Sequence, residues 1–201
     1  MASIYELKPK FQALLRPMVR SLAGAGITAN QVTILAAVLS ILTSAAVYHW
    51  PYNPRVLLLV PLVLFLRMAL NAVDGMLARE HNQKTRLGAL LNELGDVISD
   101  AALYLPFGLV PGIDLRLVVL AVVLAIIGEM TGVVAIQIGA ARRYDGPMGK
   151  SDRAFWFGLL ALLLGLGMAP GWWSSAMLAL MALLGTVTIV NRARRALGAA
   201  A

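Results

Sequence analysis

Eight polar or charged side chains break up otherwise apolar stretches of this 201-residue chain: Arg67, Asn71, Asp74, Asn92, Glu93, Asp96, Asp100 and Glu129. An ionisable group at the centre of an isolated membrane helix costs about 2.5–3.5 kcal/mol on insertion scales, so so many on neighbouring stretches point to use. Arg67, Asn71, Asp74 and Ala78 step by four, three and four, which places them on one helical face. Asn92, Asp96 and Asp100 step by four and share another face. Oxygen donors meeting from two helices suit Mg²⁺ or Mn²⁺, which also takes ligands from a substrate phosphate. The chain has no cysteine and only His49 and His81. Disulfides, thiolate zinc, a cysteine nucleophile and a histidine-rich metal site are therefore excluded. Gly75, Ala78 and Gly88 flank the acids, where small residues admit either a phosphate group or a tightly packed helix.

The elements that must carry these residues are membrane helices. Hydrophobic residues make up 60% of the chain and charged ones 13%, with a mean hydropathy of +0.79. A soluble domain of this composition lacks the polar surface to cover itself. Apolar stretches fall at about 31–50, 54–78, 86–110, 115–140, 153–169 and 172–191, each near the roughly 20 residues that span a bilayer. Pro51, Asn53 and Pro54, then Pro111 and Gly112, then Pro170 and Gly171 punctuate them. The expected fold is all-α, with six transmembrane helices forming one domain over 31–195 and an amphipathic interfacial segment over 1–30. Within that segment a helix over 3–22, interrupted at Pro9 and Pro17, carries Lys8, Lys10, Arg16 and Arg20 on its basic side.

Charge distribution sets the orientation. Arg79, Lys84 and Arg86 lie between the second and third stretches; Arg142, Arg143, Lys150 and Arg153 between the fourth and fifth; Arg192, Arg194 and Arg195 after the sixth. With the four basic residues of the amphipathic segment, these place fourteen of 17 basic side chains on one side, leaving Arg55 and Arg116 on the other and Arg67 within a stretch. Both termini and the polar cluster are thus expected in the cytoplasm. The net charge of +7 is explained by topology, with anionic membrane lipid as a partner and no nucleic acid. Transport is disfavoured, because the polar residues gather toward one side and the first, fifth and sixth stretches hold none of the cluster.

Residues 71–96 read NAVDGMLAREHNQKTRLGALLNELGD. This segment resembles the signature of the CDP-alcohol phosphatidyltransferase family, D-x-x-D-G-x-x-A-R followed by G-x-x-x-D-x-x-x-D. Asp74, Gly75, Ala78, Arg79, Gly88 and Asp96 match in kind and spacing. The stretch ITANQVT at 27–33 resembles the family's opening of its first span, and GKSDR at 149–153 its basic stretch. The first and third signature aspartates are Asn71 and Asn92 here.

The resemblance implies transfer of a phosphatidyl or related phospho-alcohol group from a CDP-linked lipid to an alcohol, releasing CMP, in phospholipid biosynthesis. It implies a metal set of Asn71, Asp74, Asn92 and Asp96 for Mg²⁺ or Mn²⁺, with Glu93 and Asp100 as further oxygen donors. Asp96 would be the general base. Gly75, Ala78, Arg79, Gly88, Asn30 and Thr33 would receive the CDP moiety. Lys150 and Arg153 would bind the acceptor, favouring a phosphorylated alcohol, although positive-inside charge explains them equally well. A homodimer in a bacterial inner (cytoplasmic) membrane is expected. In the family, four aspartates hold two metals. With two asparagines, a rebuilt two-metal site, a one-metal site, or a non-catalytic relative that binds a CDP-lipid or a membrane partner remain open.

Overall fold

The computed structural model describes the backbone of residues 4–200 and the side chains of residues 10–199. The first three residues of the expected 1–30 segment lie outside the described part. Every regular element among the described residues is helical. The seven α-helices are α1 (Ile4–Gly24), α2 (Ala29–His49), α3 (Leu59–Glu80), α4 (Arg86–Tyr104), α5 (Leu115–Val134), α6 (Lys150–Gly165) and α7 (Trp172–Ala200). Short 3₁₀ segments at Pro54–Leu58, Leu105–Leu109 and Ala135–Ile138 extend three of them.

The boundaries follow from local chemistry. Asn53 Oδ1 accepts from the Arg55 amide at 3.2 Å, and Pro54 starts the segment without needing an N–H partner. Asp114 Oδ1 accepts from the Arg116 amide at 2.8 Å and opens α5, just after Gly112 turns the chain at φ +84°. Asp152 Oδ2 accepts from the Gly149 amide at 2.9 Å at the start of α6. One expectation changes: α1 runs on through both Pro9 and Pro17 rather than breaking at them.

Among the described residues four helical segments are long and apolar enough to cross a membrane: Ala29–His49, Pro54–Glu80, Leu115–Ile138 and Trp172–Ala199. The other two of the six expected stretches differ for physical reasons. Helix α4 carries Glu93, Asp96 and Asp100 within its length, and α6 has 16 residues, about 24 Å at 1.5 Å per residue. Apolar side chains such as Leu42, Leu62, Phe65 and Leu183 remain exposed, as expected where lipid replaces water as solvent. The chain is an integral membrane protein.

The chain divides into two compact units, residues 1–42 with 62–99, and residues 43–61 with 100–201. In the first, α1, α2 and α3 meet around a core of Val19, Ala29, Val32, Val73, Met76 and Leu77. Arg16 of α1 makes a two-pronged ion pair with Glu80 at the end of α3, both contacts at 3.1 Å. In the second unit α5 packs along α7, and the 3₁₀ segment after α4 packs on α5. The Tyr104 and Phe157 rings stack there with centroids 3.9 Å apart, and Phe107 meets Phe157 edge-on.

Candidate functional site

The signature residues lie in the first unit, on α2, α3 and α4. Asp74 is buried on α3, and its Oδ2 accepts a 2.7 Å hydrogen bond from Thr33 Oγ1 on α2. A β-carbon added at Gly95 would lie 3.9 Å from the Thr33 methyl, so the residue preceding Asp96 packs beside Thr33. Asp96 is partly exposed, and its Oδ1 lies 3.8 Å from Nη2 of the buried Arg67 on α3. Thr33 thereby orients Asp74 through a hydrogen bond, and Arg67 sets a positive charge beside Asp96. Asn71 is half-buried on α3, whereas Asn92 on α4 is exposed and Glu93 half-buried.

The small residues have definite neighbours. A β-carbon at Gly88 would stand 2.6 Å from Asn30 Oδ1 and 3.0 Å from Thr85 Oγ1, so only glycine leaves Asn30 in place. Asn30 Nδ2 also donates to Thr85 Oγ1 at 3.3 Å. The Arg79 guanidinium folds back over Gly75, where an added β-carbon would stand 3.1 Å from Nη1. Ala78 packs at the edge of the α1–α3 core. The sequence did not point to Gln83. Its Oε1 accepts from the Ala29 amide at 2.7 Å and its Nε2 donates to the Ile27 carbonyl at 3.4 Å, capping α2 from the α3–α4 connection.

The donor set is oxygen throughout, which fits a hard divalent cation such as Mg²⁺ or Mn²⁺. It is poor in charge: among the described residues no group of three or more Asp, Glu, His or Cys side chains is placed to hold a metal.

The remaining expected site residues, Asp100, Lys150 and Arg153, lie in the second unit, where Asp100 and Arg153 join a buried charge network. Arg153 is 4% exposed, and its Nη2 contacts Asp100 Oδ2 at 3.1 Å and Glu129 Oε1 at 3.0 Å. Asp100, expected beside the metal ligands, is held there by Arg153. Glu129 also pairs with Arg142 and Arg192, both at 3.3 Å. Arg192 is almost fully buried, and its Nη1 donates to the Gly128 carbonyl at 2.6 Å. Next to it Asp145 accepts from Arg143 Nε at 2.8 Å and pairs with Arg195 at 2.6 Å. Burial pushes the Asp145 carboxyl up, but hydrogen bonds and charge from Arg143 and Arg195 outweigh that and hold it below the usual aspartate range. Lys150 begins α6. Arg142 and Arg192 were counted only as topological charge in the sequence. The signal for their role was Glu129, an acid in an apolar span that needs cations as partners.

A family model for CDP-alcohol phosphatidyltransferase matches residues 26–197. The inner membrane protein YnbA of Escherichia coli (strain K12) is 47% identical over 197 residues, 97% of this chain and 96% of that protein. The archaetidylinositol phosphate synthase of Pyrococcus horikoshii is 31% identical over 107 residues, 53% of each chain. Among solved structures, the phosphatidylinositol phosphate synthase PgsA1 of Mycobacterium tuberculosis, in complex with manganese and citrate, shares the fold. The TM-score is 0.75 at 23% identity, covering 90% of this chain and 88% of that one. A further structure of that synthase has CDP-DAG bound. With a family model spanning the six apolar stretches and a full-length relative close to half identical, this chain belongs to the CDP-alcohol phosphatidyltransferase family.

Proposed function

We propose that this protein transfers a phosphatidyl or related phospho-alcohol group from a CDP-linked lipid to an alcohol, releasing CMP. The observation that carries this reading is the fixed pair of signature carboxylates: Asp74 held by Thr33 and Asp96 beside Arg67, on adjacent helices of a family member. Asn71, Asp74, Asn92 and Asp96 hold Mg²⁺ or Mn²⁺, with Glu93 nearby on α4. Asp100, the other expected oxygen donor, is instead paired with Arg153 at 3.1 Å. When bound, the metal neutralises charge on the donor's diphosphate. The acceptor hydroxyl oxygen attacks the lipid-bearing phosphorus, Asp96 takes its proton, and the bond to CMP breaks. Gly75, Ala78, Arg79, Gly88, Asn30 and Thr33 receive the CDP moiety. The support is that Asn30 and Arg79 pack directly on these glycines: an added β-carbon would stand 2.6 Å from Asn30 Oδ1 at Gly88 and 3.1 Å from Arg79 Nη1 at Gly75. Lys150 and Arg153 bind the acceptor, phosphorylated or not.

Six helices, α2 to α7, span the membrane as one domain over 31–195, and the 1–30 segment lies in the interface. Exposed Tyr48, Trp50, Tyr52 and Trp172 at helix ends support a membrane boundary there. The positive-inside distribution supports cytoplasmic termini and a cytoplasmic site. The relationship to YnbA supports an inner-membrane location, and family resemblance supports a homodimer.

Asn71 and Asn92 favour a second reading, a relative that binds a CDP-lipid or a membrane partner without turnover. The test is purified protein titrated with CDP-diacylglycerol, with and without Mg²⁺ or Mn²⁺, scoring binding and CMP release on adding candidate alcohols. Metal-dependent CMP release is expected. Binding without release for every alcohol tried selects the second reading in its CDP-lipid form, and no binding at all removes the transferase and leaves the membrane-partner form.

A further inference from the structure

Arg67 sits on α3 one turn before Asn71, its side chain 4% exposed and its Nη2 3.8 Å from Asp96 Oδ1. A guanidinium keeps its charge at any accessible pH. Of the four signature positions, Asp74 and Asp96 each carry −1 while Asn71 and Asn92 are neutral, so with Arg67, +1, these five residues sum to −1; Glu93 stands outside the signature. Among the described residues no third carboxylate joins Asp74 and Asp96 in a group suited to a metal.

One divalent ion turns this sum to +1, and the two negative charges of a donor diphosphate then bring it to −1. A pair of divalent ions about 3.5–4 Å apart would leave +3, or +1 with the same diphosphate, and would lack the bridging carboxylates that normally hold two such charges together. The nearby guanidinium opposes a second ion further. We propose that Arg67 is a built-in cation of this centre and that the centre holds a single divalent ion. The proposal rests on the reading of Asp74 and Asp96 as metal ligands. Arg67 is a positioning and charge-setting residue: it acts through Asp96 by fixing the carboxylate and limiting how much positive charge the site accepts.

The experiment counts Mn²⁺ by its electron paramagnetic resonance signal, using the full chain in phosphatidylcholine nanodiscs, whose zwitterionic lipid adds no anionic metal sites. The wild type is expected to bind one Mn²⁺ per chain. Arg67→Met should bind its ion about tenfold more tightly, the scale of one nearby charge removed. Arg67→Lys, which keeps the charge, should behave as wild type. The triple variant Arg67→Met, Asn71→Asp, Asn92→Asp should bind two ions. Two ions or none in the wild type, or equal affinity in wild type and Arg67→Met, would overturn the proposal. Should Arg67→Met fail to fold, the wild-type count and the Arg67→Lys affinity still decide it. CDP-diacylglycerol binding is measured on the same samples. Loss of lipid binding with one Mn²⁺ retained defeats the transferase reading alone, and a second Mn²⁺ with lipid bound defeats this inference alone.

Discussion

Thr33 Oγ1 lies 2.7 Å from Asp74 Oδ2, a hydrogen bond from α2 to α3 that orients a buried signature carboxylate. Groups that hold a metal ligand in place typically contribute 10–100-fold to metal affinity or activity. Thr33→Val should therefore lower Mn²⁺ affinity and CMP release by about 10–100-fold, and Thr33→Ser should restore most of both. An unchanged Mn²⁺ isotherm for Thr33→Val would show that the bond serves packing only.

Asp96→Asn keeps the size and shape of the side chain but removes its capacity to take a proton, the role proposed for it. Turnover should fall by about 10²–10⁴-fold, the usual worth of a general base, while membrane insertion and helix content stay as in the wild type. Single-turnover CMP release checks it, and full activity would remove Asp96 from that role.

Glu129 contacts Arg142, Arg153 and Arg192 within 3.3 Å while nearly buried. Glu129→Gln leaves three guanidinium groups competing for fewer anions. Removing one partner from a buried pair costs roughly 3–5 kcal/mol, so unfolding in a denaturing detergent should shift by that amount. A shift below about 1 kcal/mol would place the network with surface ion pairs.

Asp145 is a carboxylate whose folded pKa is depressed by Arg143 and Arg195 against the opposing effect of burial. Its contribution is therefore complete above the ordinary aspartate value of about 3.9 and is lost as pH falls through the lower folded value. Because Arg195 is largely exposed, the contribution is under about 1 kcal/mol. Thermal unfolding of wild type and Asp145→Asn should differ at neutral pH and converge in acid. A gap that widens on acidification would reverse the sign of this assignment.

Helix limits and the signature were legible because they depend on local chemistry. Proline and glycine pairs end the apolar runs, and steps of three and four group Arg67, Asn71 and Asp74 on one face. The charge network was not legible, because its members come together only in the folded chain. Arg192 donates to Gly128 across 64 residues, and Arg153 reaches Asp100 across 53. Read locally, Arg192 is one more basic residue after a span, and Asp100 is one more acid on the α4 face. The continuity of α1 through Pro9 and Pro17 also escaped local reading, since proline propensity predicted a break and the packing of Val19 in the core holds the turn following Pro17.

The connection between α3 and α4 is short and polar, the kind of segment that usually varies most among relatives. Here Gln83 binds the backbone at Ile27 and Ala29, while Thr85 receives Asn30 and accepts the Gly88 amide at 2.8 Å. A residue added or removed in this stretch would shift both attachments out of reach. Its length is therefore fixed by two attachments, and insertions tolerated in other loops should be rejected here.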